Sequence, residues 1–155
     1  MKRSAHISEC GKYRYSLARW WDDDLPIVAF VMLNPSTADA LIDDPTIRRC
    51  IGFAKAWGCG RVEIYNLFAL RSTDPKALRE TFDPVGPAND DILRGIAACC
   101  VRTIAAWGSH GKLWNRGPKV AAMFGGRLEA LAVNADGTPK HPLYVKGDAQ
   151  PVPYR

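Results

Sequence analysis

The stretch Ile27-Val28-Ala29-Phe30-Val31-Met32-Leu33 decides the fold, and Asn34-Pro35 closes it. An unbroken apolar run rich in β-branched residues lacks the alternation of a half-exposed strand. It marks a strand covered on both faces, as in a parallel sheet. Pro35 has no amide hydrogen to give a ladder, so the strand must end there.

Working outward, Lys12 to Trp20 alternates and reads as a strand at the edge of the domain, closed by the turn Trp21-Asp22-Asp23-Asp24. Downstream, Asp44-Pro45-Thr46 predicts the cap of a helix with Ile47, Cys50, Ile51, Phe53, Ala54 and Trp57 at helical spacing, stopped by Gly58. Arg61 to Leu67 predicts a second core strand. A helix follows over Asp90 to Ala98, with Asn89 as its cap. Cys100 to Gly108 predicts a third strand, Pro118 to Phe124 a short helix, and Arg127 to Val133 a fourth strand, before a tail rich in Gly and Pro. Strands alternating with helices predict an α/β protein, a three-layer α/β/α sandwich with a mainly parallel central sheet and right-handed crossovers.

The 155 residues fit a single domain, and 47% hydrophobic with 24% charged residues is an ordinary globular balance. Lys and Arg number 21 against 16 Asp and Glu, a net +5 that modestly favours a polyanionic partner. There is no long apolar run, and Met1 to Cys10 is polar, so the expectation is a cytoplasmic protein without membrane association. Cys10, Cys50, Cys59, Cys99 and Cys100 include no Cys-x-x-Cys pair. Reduced thiols are expected rather than a metal or iron–sulfur site.

Ligands of open α/β sheets bind beyond the carboxyl ends of the strands. The residues there are Asn34-Pro35-Ser36-Thr37, Asn66-Leu67-Phe68 and Trp107-Gly108-Ser109-His110, with His141-Pro142-Leu143-Tyr144 in the last loop. In this order they resemble the uracil-DNA glycosylase superfamily. Met32-Leu33-Asn34-Pro35-Ser36 resembles its water-activating loop in the Asn-Pro form of the mismatch-specific branch. Ile64-Tyr65-Asn66 is similar to the strand ending in a base-reading Asn, Ala106-Trp107-Gly108 to the strand ending Trp-Gly, and His141-Pro142-Leu143 to the late His-Pro loop. The stretches Asp43-Asp44-Pro45-Thr46 and Pro84-Val85-Gly86-Pro87 also resemble a bacterial family known only as a domain of unknown function.

The resemblance implies a DNA glycosylase acting on uracil in DNA, as the first step of base excision repair; other deaminated bases such as xanthine, whose edge carries the same three groups, are further candidates. No metal or cofactor is implied, and a monomer is expected. In that reading Asn34 orients the hydrolytic water and His141 donates to the carbonyl oxygen where charge collects. Asn66 offers a donor and an acceptor side by side to an imide edge. Phe68 and Trp107 are candidates for stacking on the base, and Arg71 and Arg94 for a positive charge near the base or a phosphate. Leu143 and Tyr144 would fill the gap left by an extruded base, while Ser36, Thr37, Arg48, Arg49 and Lys146 would contact phosphates.

Each residue also has a plainer role. Asn-Pro and His-Pro form ordinary turns, Asn66 can cap loop amides, Arg48 and Arg49 can lie on a solvated helix face, and Asp44 is more at home as a helix cap than as half of an acid–base pair with Asp43. The late loop lacks the serine that follows His-Pro in the superfamily. Two further functions therefore stay open: a catalytically silent nucleotide- or nucleic-acid-binding module, and a hydrolase of free nucleosides or nucleotides.

Overall fold

The structure is a computed structural model and describes residues 1–36 and 41–154. The strands are β1 (Lys2–Ile7), β2 (Arg14–Trp20), β3 (Ile27–Met32), β4 (Arg61–Asn66), β5 (Arg102–Ala105), β6 (Glu129–Ala130) and β7 (Val152–Pro153). The helices are α1 (Pro45–Ala56), α2 (Ala77–Glu80), α3 (Asn89–Ala98) and α4 (Arg116–Met123). One seven-stranded sheet runs in the order β1-β2-β4-β3-β5-β6-β7.

The expected mainly parallel sheet is corrected to a mixed one. β4, β3, β5 and β6 run parallel, but β1/β2, β2/β4 and β6/β7 pair antiparallel. At the N-terminal edge Gly11 donates to the Ser8 carbonyl and the Tyr13 amide to Ser8 Oγ, closing a tight return between β1 and β2. β1 rather than β2 is thus the outer strand, and most of its residues are exposed.

The run that closes at Pro35 is buried on both faces, as its composition requires. Val28, Phe30 and Met32 pack with Ile47, Cys50 and Phe53 of α1, whereas Ala29 and Val31 pack with Leu93 of α3 and Val120 of α4. Asp44 caps α1 as expected, its Oδ1 accepting from the Ile47 amide at 2.8 Å. Asn89 does not cap α3. It lies inside the helix, fully buried, and its Nδ2 donates to the carbonyls of Asn66 and Leu67.

His6 pairs with Ser16 but Ile7 pairs with Arg14, so β2 carries one extra residue, a β-bulge. Tyr13 and Tyr15 consequently face the α3 and α4 side while Leu17, an even step away, faces α1.

The five thiols are free; Cys50 and Cys59 are buried, and Cys10, Cys99 and Cys100 are exposed. Among the described residues no helix is long and apolar enough to cross a membrane.

Candidate active site

β3 and β4 are parallel and paired in register, Met32 opposite Asn66, so the residues that follow them leave the sheet at the same edge. The chain beyond β5 leaves there too. A cleft of about 550 Å³ opens at this edge, and Asn34, Ser36, Asn66, Trp107, His141 and Tyr144 all line it. Six expected site residues from four separate segments thus share one cavity. Arg14, Asp44, His110 and Asn134 complete its polar wall.

Asn34 is anchored by its amide nitrogen. Nδ2 donates to the carbonyls of Pro35 at 3.1 Å, Leu70 at 3.3 Å and Ser72 at 3.0 Å. Carbonyls only accept, so the amide has one sensible orientation. Its Oδ1 takes no hydrogen from the described residues, which leaves an acceptor of fixed aim on the cleft wall.

Asn66 is the opposite case. It is 1% exposed, and among the described residues neither its Nδ2 nor its Oδ1 has a hydrogen-bond partner. A buried polar atom in that state costs about 1–3 kcal/mol. The backbone around it is firmly held. Asn89 binds the carbonyls of Asn66 and Leu67, and Arg116 Nε donates to the Leu67 carbonyl at 2.9 Å while its Nη2 pairs with Asp90 at 2.5 Å.

His141 precedes the 3-10 turn Pro142–Tyr144, and its Nδ1 accepts from the Leu143 amide at 3.2 Å. An accepting Nδ1 is unprotonated, so the neutral ring carries its hydrogen on Nε2 as a donor. Burial pushes the imidazole pKa below its ordinary value, with Asp44 opposing. The neutral donor form is therefore the resting state near neutral pH.

Arg49 holds the same loop from α1. Its guanidinium donates to the Pro142 and Val145 carbonyls and lies over the Phe53 ring. The residue expected at a phosphate thus holds the His-Pro loop to α1. Arg48 is exposed and donates to the Asp43 carbonyl. Tyr144 and Leu143 are 79% and 45% exposed, and Lys146 is exposed beside them.

Trp107 is 3% exposed and packed tightly. A Cβ on Gly111 would meet its Cδ1 at 2.1 Å and one on Gly117 its Nε1 at 2.8 Å, while Tyr154 meets the ring edge-on. It forms wall more than platform. Phe68 does not line the cleft: it is fully buried in the cluster shared with α3 and α4, edge-on to Trp114. Arg71 donates to the Gly11 carbonyl away from the cleft lining, and Arg94 is exposed, paired with Asp91, on a separate shallow depression with Ala97 and Met123. Ser36 Oγ donates to Asp44 Oδ2 at 3.2 Å. The expected phosphate contact at Thr37 lies outside the described residues.

Arg14 was not foreseen. It is 3% exposed yet lines the cleft, and burial pushes its pKa down to about 10, with Asp44 raising it and Arg71 and Arg19 lowering it further. In the sequence it is one basic residue in an alternating strand, with no signal that sets it apart.

The chain belongs to the family described as protein of unknown function (DUF1643), whose sequence model matches residues 14–143. No curated protein and no solved structure matches it.

Proposed function

We propose that this member of the DUF1643 family is a DNA glycosylase that hydrolyses the N-glycosidic bond of uracil, and of xanthine, in DNA, in a three-layer α/β/α fold of the uracil-DNA glycosylase kind. The observation that carries the reading is Asn66, a buried amide on the wall of a cleft whose two polar atoms find no partner among the described residues. A donor and an acceptor fixed side by side match an imide edge, and a ligand with that edge relieves the penalty.

The neighbouring groups fit the chemistry. Breaking the bond sends its electron pair out with the base, and the sugar gains oxocarbenium character. Water attacks the anomeric carbon, oriented by Asn34 Oδ1, and its proton passes to bulk solvent. His141 Nε2–H donates to the base carbonyl as charge accumulates, a contribution of about 3–4 kcal/mol by comparison with other oxyanion donors. A neutral donor serves here because a cationic ring would need to be desolvated. Tyr144, which lines the cleft, and its neighbour Leu143 are both exposed, and in this reading they form the wedge that holds open a duplex from which a base has been extruded.

The test is incubation with a labelled oligonucleotide containing one uracil, followed by alkali. Strand scission at the uracil is expected. Binding without scission selects the catalytically silent module instead, and activity on free nucleosides alone selects the nucleoside hydrolase.

A further inference from the structure

We propose that Arg14 is the anion-binding group of the cleft and holds the negative charge of the bound heterocycle as that charge develops. The inference rests on the glycosylase reading for its reaction, but its geometry stands separately.

The first support is the bulge in β2. In an unbroken strand Arg14 would point away from the side that Leu17 and Arg19 occupy, because alternate residues share a face. The extra residue reverses the alternation, so Tyr13 and Tyr15 go to the α3 and α4 side and Arg14 reaches the cleft. Bulges beside active sites commonly re-aim one side chain in this way.

The second is position. β2 pairs with β4 along Leu17 to Trp20, and the Arg14 amide donates to the Ala69 carbonyl just past β4. Arg14 thus enters the cleft from the strand beside the one ending at Asn66, the side where the heterocycle would be read. The third is burial. A guanidinium that is 3% exposed on a cleft wall is screened little by solvent, so it attracts a delocalised anion more strongly than an exposed cation does, beside the Asp44 carboxylate that shares the cleft.

In the reaction, the pair from the broken bond to the sugar passes into the ring of the departing base. His141 meets part of that charge at one oxygen, and Arg14 meets it as a fixed cation. The base leaves as an anion and takes its proton from solvent.

The experiment compares two free bases by calorimetry at mildly alkaline pH: uracil, which is neutral there, and 5-nitrouracil, whose nitro group makes it anionic. The parent is expected to bind 5-nitrouracil at least about tenfold more tightly, the size of one charge-assisted contact. Arg14→Gln should lose that preference while keeping its affinity for uracil, and Arg14→Lys should keep most of it. A parent without preference, or an Arg14→Gln variant that retains it, overturns the proposal. So does loss of binding to both bases by an Arg14→Gln variant whose unfolding temperature is unchanged, since the residue would then not distinguish charge.

A second arm measures single-turnover excision of uracil and of 5-fluorouracil from the same oligonucleotide. Fluorine spreads charge within the ring, so Arg14→Gln should slow uracil at least about fivefold more than 5-fluorouracil. Equal slowing overturns the proposal. If the parent excises neither base yet shows the Arg14-dependent preference, the glycosylase reading fails and the anion site stands.

Discussion

β3 and β4 lie side by side, run parallel and each lead to an asparagine, but the protein treats the two amides in opposite ways. Asn34 spends its whole nitrogen on three backbone carbonyls. Asn66 binds none of the described residues through its amide, although the backbone at and after it is held by Asn89 and Arg116. Among the described residues nothing occupies the Asn66 donor and acceptor, which leaves both to a ligand. The difference teaches how to read polar residues on a cleft wall: hydrogen bonds already satisfied fix a group's aim, and unsatisfied buried ones specify a partner.

The largest effect should come from reversing the role of Asn34. In Asn34→Asp an acceptor replaces the nitrogen that faces three carbonyls, so the carboxylate meets like partial charge on every side. A carboxylate is a stronger base than an amide, and on that ground alone the rate should rise. Geometry should win: we expect stability to fall by about 2–4 kcal/mol and single-turnover excision by about a hundredfold. Urea unfolding and rapid-quench kinetics measure the two. A faster, equally stable variant would show that the three carbonyl contacts do not set the aim of Asn34.

Asn66 should respond in the other direction. Leucine has a similar shape and no polar atoms, so Asn66→Leu removes two unsatisfied groups and should leave stability unchanged or raise it by about 1–2 kcal/mol. Excision should fall at least about tenfold. Destabilisation by more than about 1 kcal/mol would mean that the native amide is satisfied in solution and reads nothing.

These contrasts were only partly legible in the sequence. The strand Ile27–Met32, the Asp44 cap and the convergence of Asn34, Asn66, Trp107 and His141 follow from local signals: an apolar run, an Asp-Pro pair, polar residues at strand ends. What could not be read depends on contacts distant in sequence. Asn89 stands before a helical pattern like any cap, yet its nitrogen turns to β4, 23 residues earlier. Phe68 follows Asn66 closely, yet the chain carries it into the opposite core. Arg14 needs a bulge that exists only once β1 is paired, and Arg49 looks like a solvated helix face until the loop near residue 142 folds onto it.

His141 tests the comparison through pH. Its pKa is lowered in the folded chain by burial, so the native state prefers the neutral ring more than the unfolded state does. Its contribution to stability is complete above the unfolded value of about 6.5 and is lost as pH falls below it, because the unfolded chain then binds the proton first. Protonation also converts Nδ1 from acceptor to donor and breaks the bond from the Leu143 amide. Excision should therefore decline as the pH falls below the ordinary imidazole range. In His141→Gln that step should vanish from both the stability and the rate profiles. A step that survives in the variant belongs to another group.

The smallest effect on the folded chain, and the most specific one on substrate, is expected at Leu143 and Tyr144. They lie on the 3-10 turn that Arg49 clamps at Pro142 and Val145, so the backbone is rigid while the two side chains project, 45% and 79% exposed. Exposed side chains on a held turn contribute little to stability, so replacing both with alanine should change it by no more than about 0.5 kcal/mol. Extruding a base from a duplex costs a few kcal/mol that a single strand does not demand. Removing the wedge should therefore slow excision from paired DNA about five- to tenfold more than from single strands, while Arg49→Ala, which frees the loop but keeps both side chains, should produce a weaker version of the same bias. The ratio of single-turnover rates on the two substrates is the measurement. A ratio that stays constant in both variants would assign the turn to packing alone, and would leave the pinned Asn34 and the open Asn66 as the part of the cleft that acts on the base.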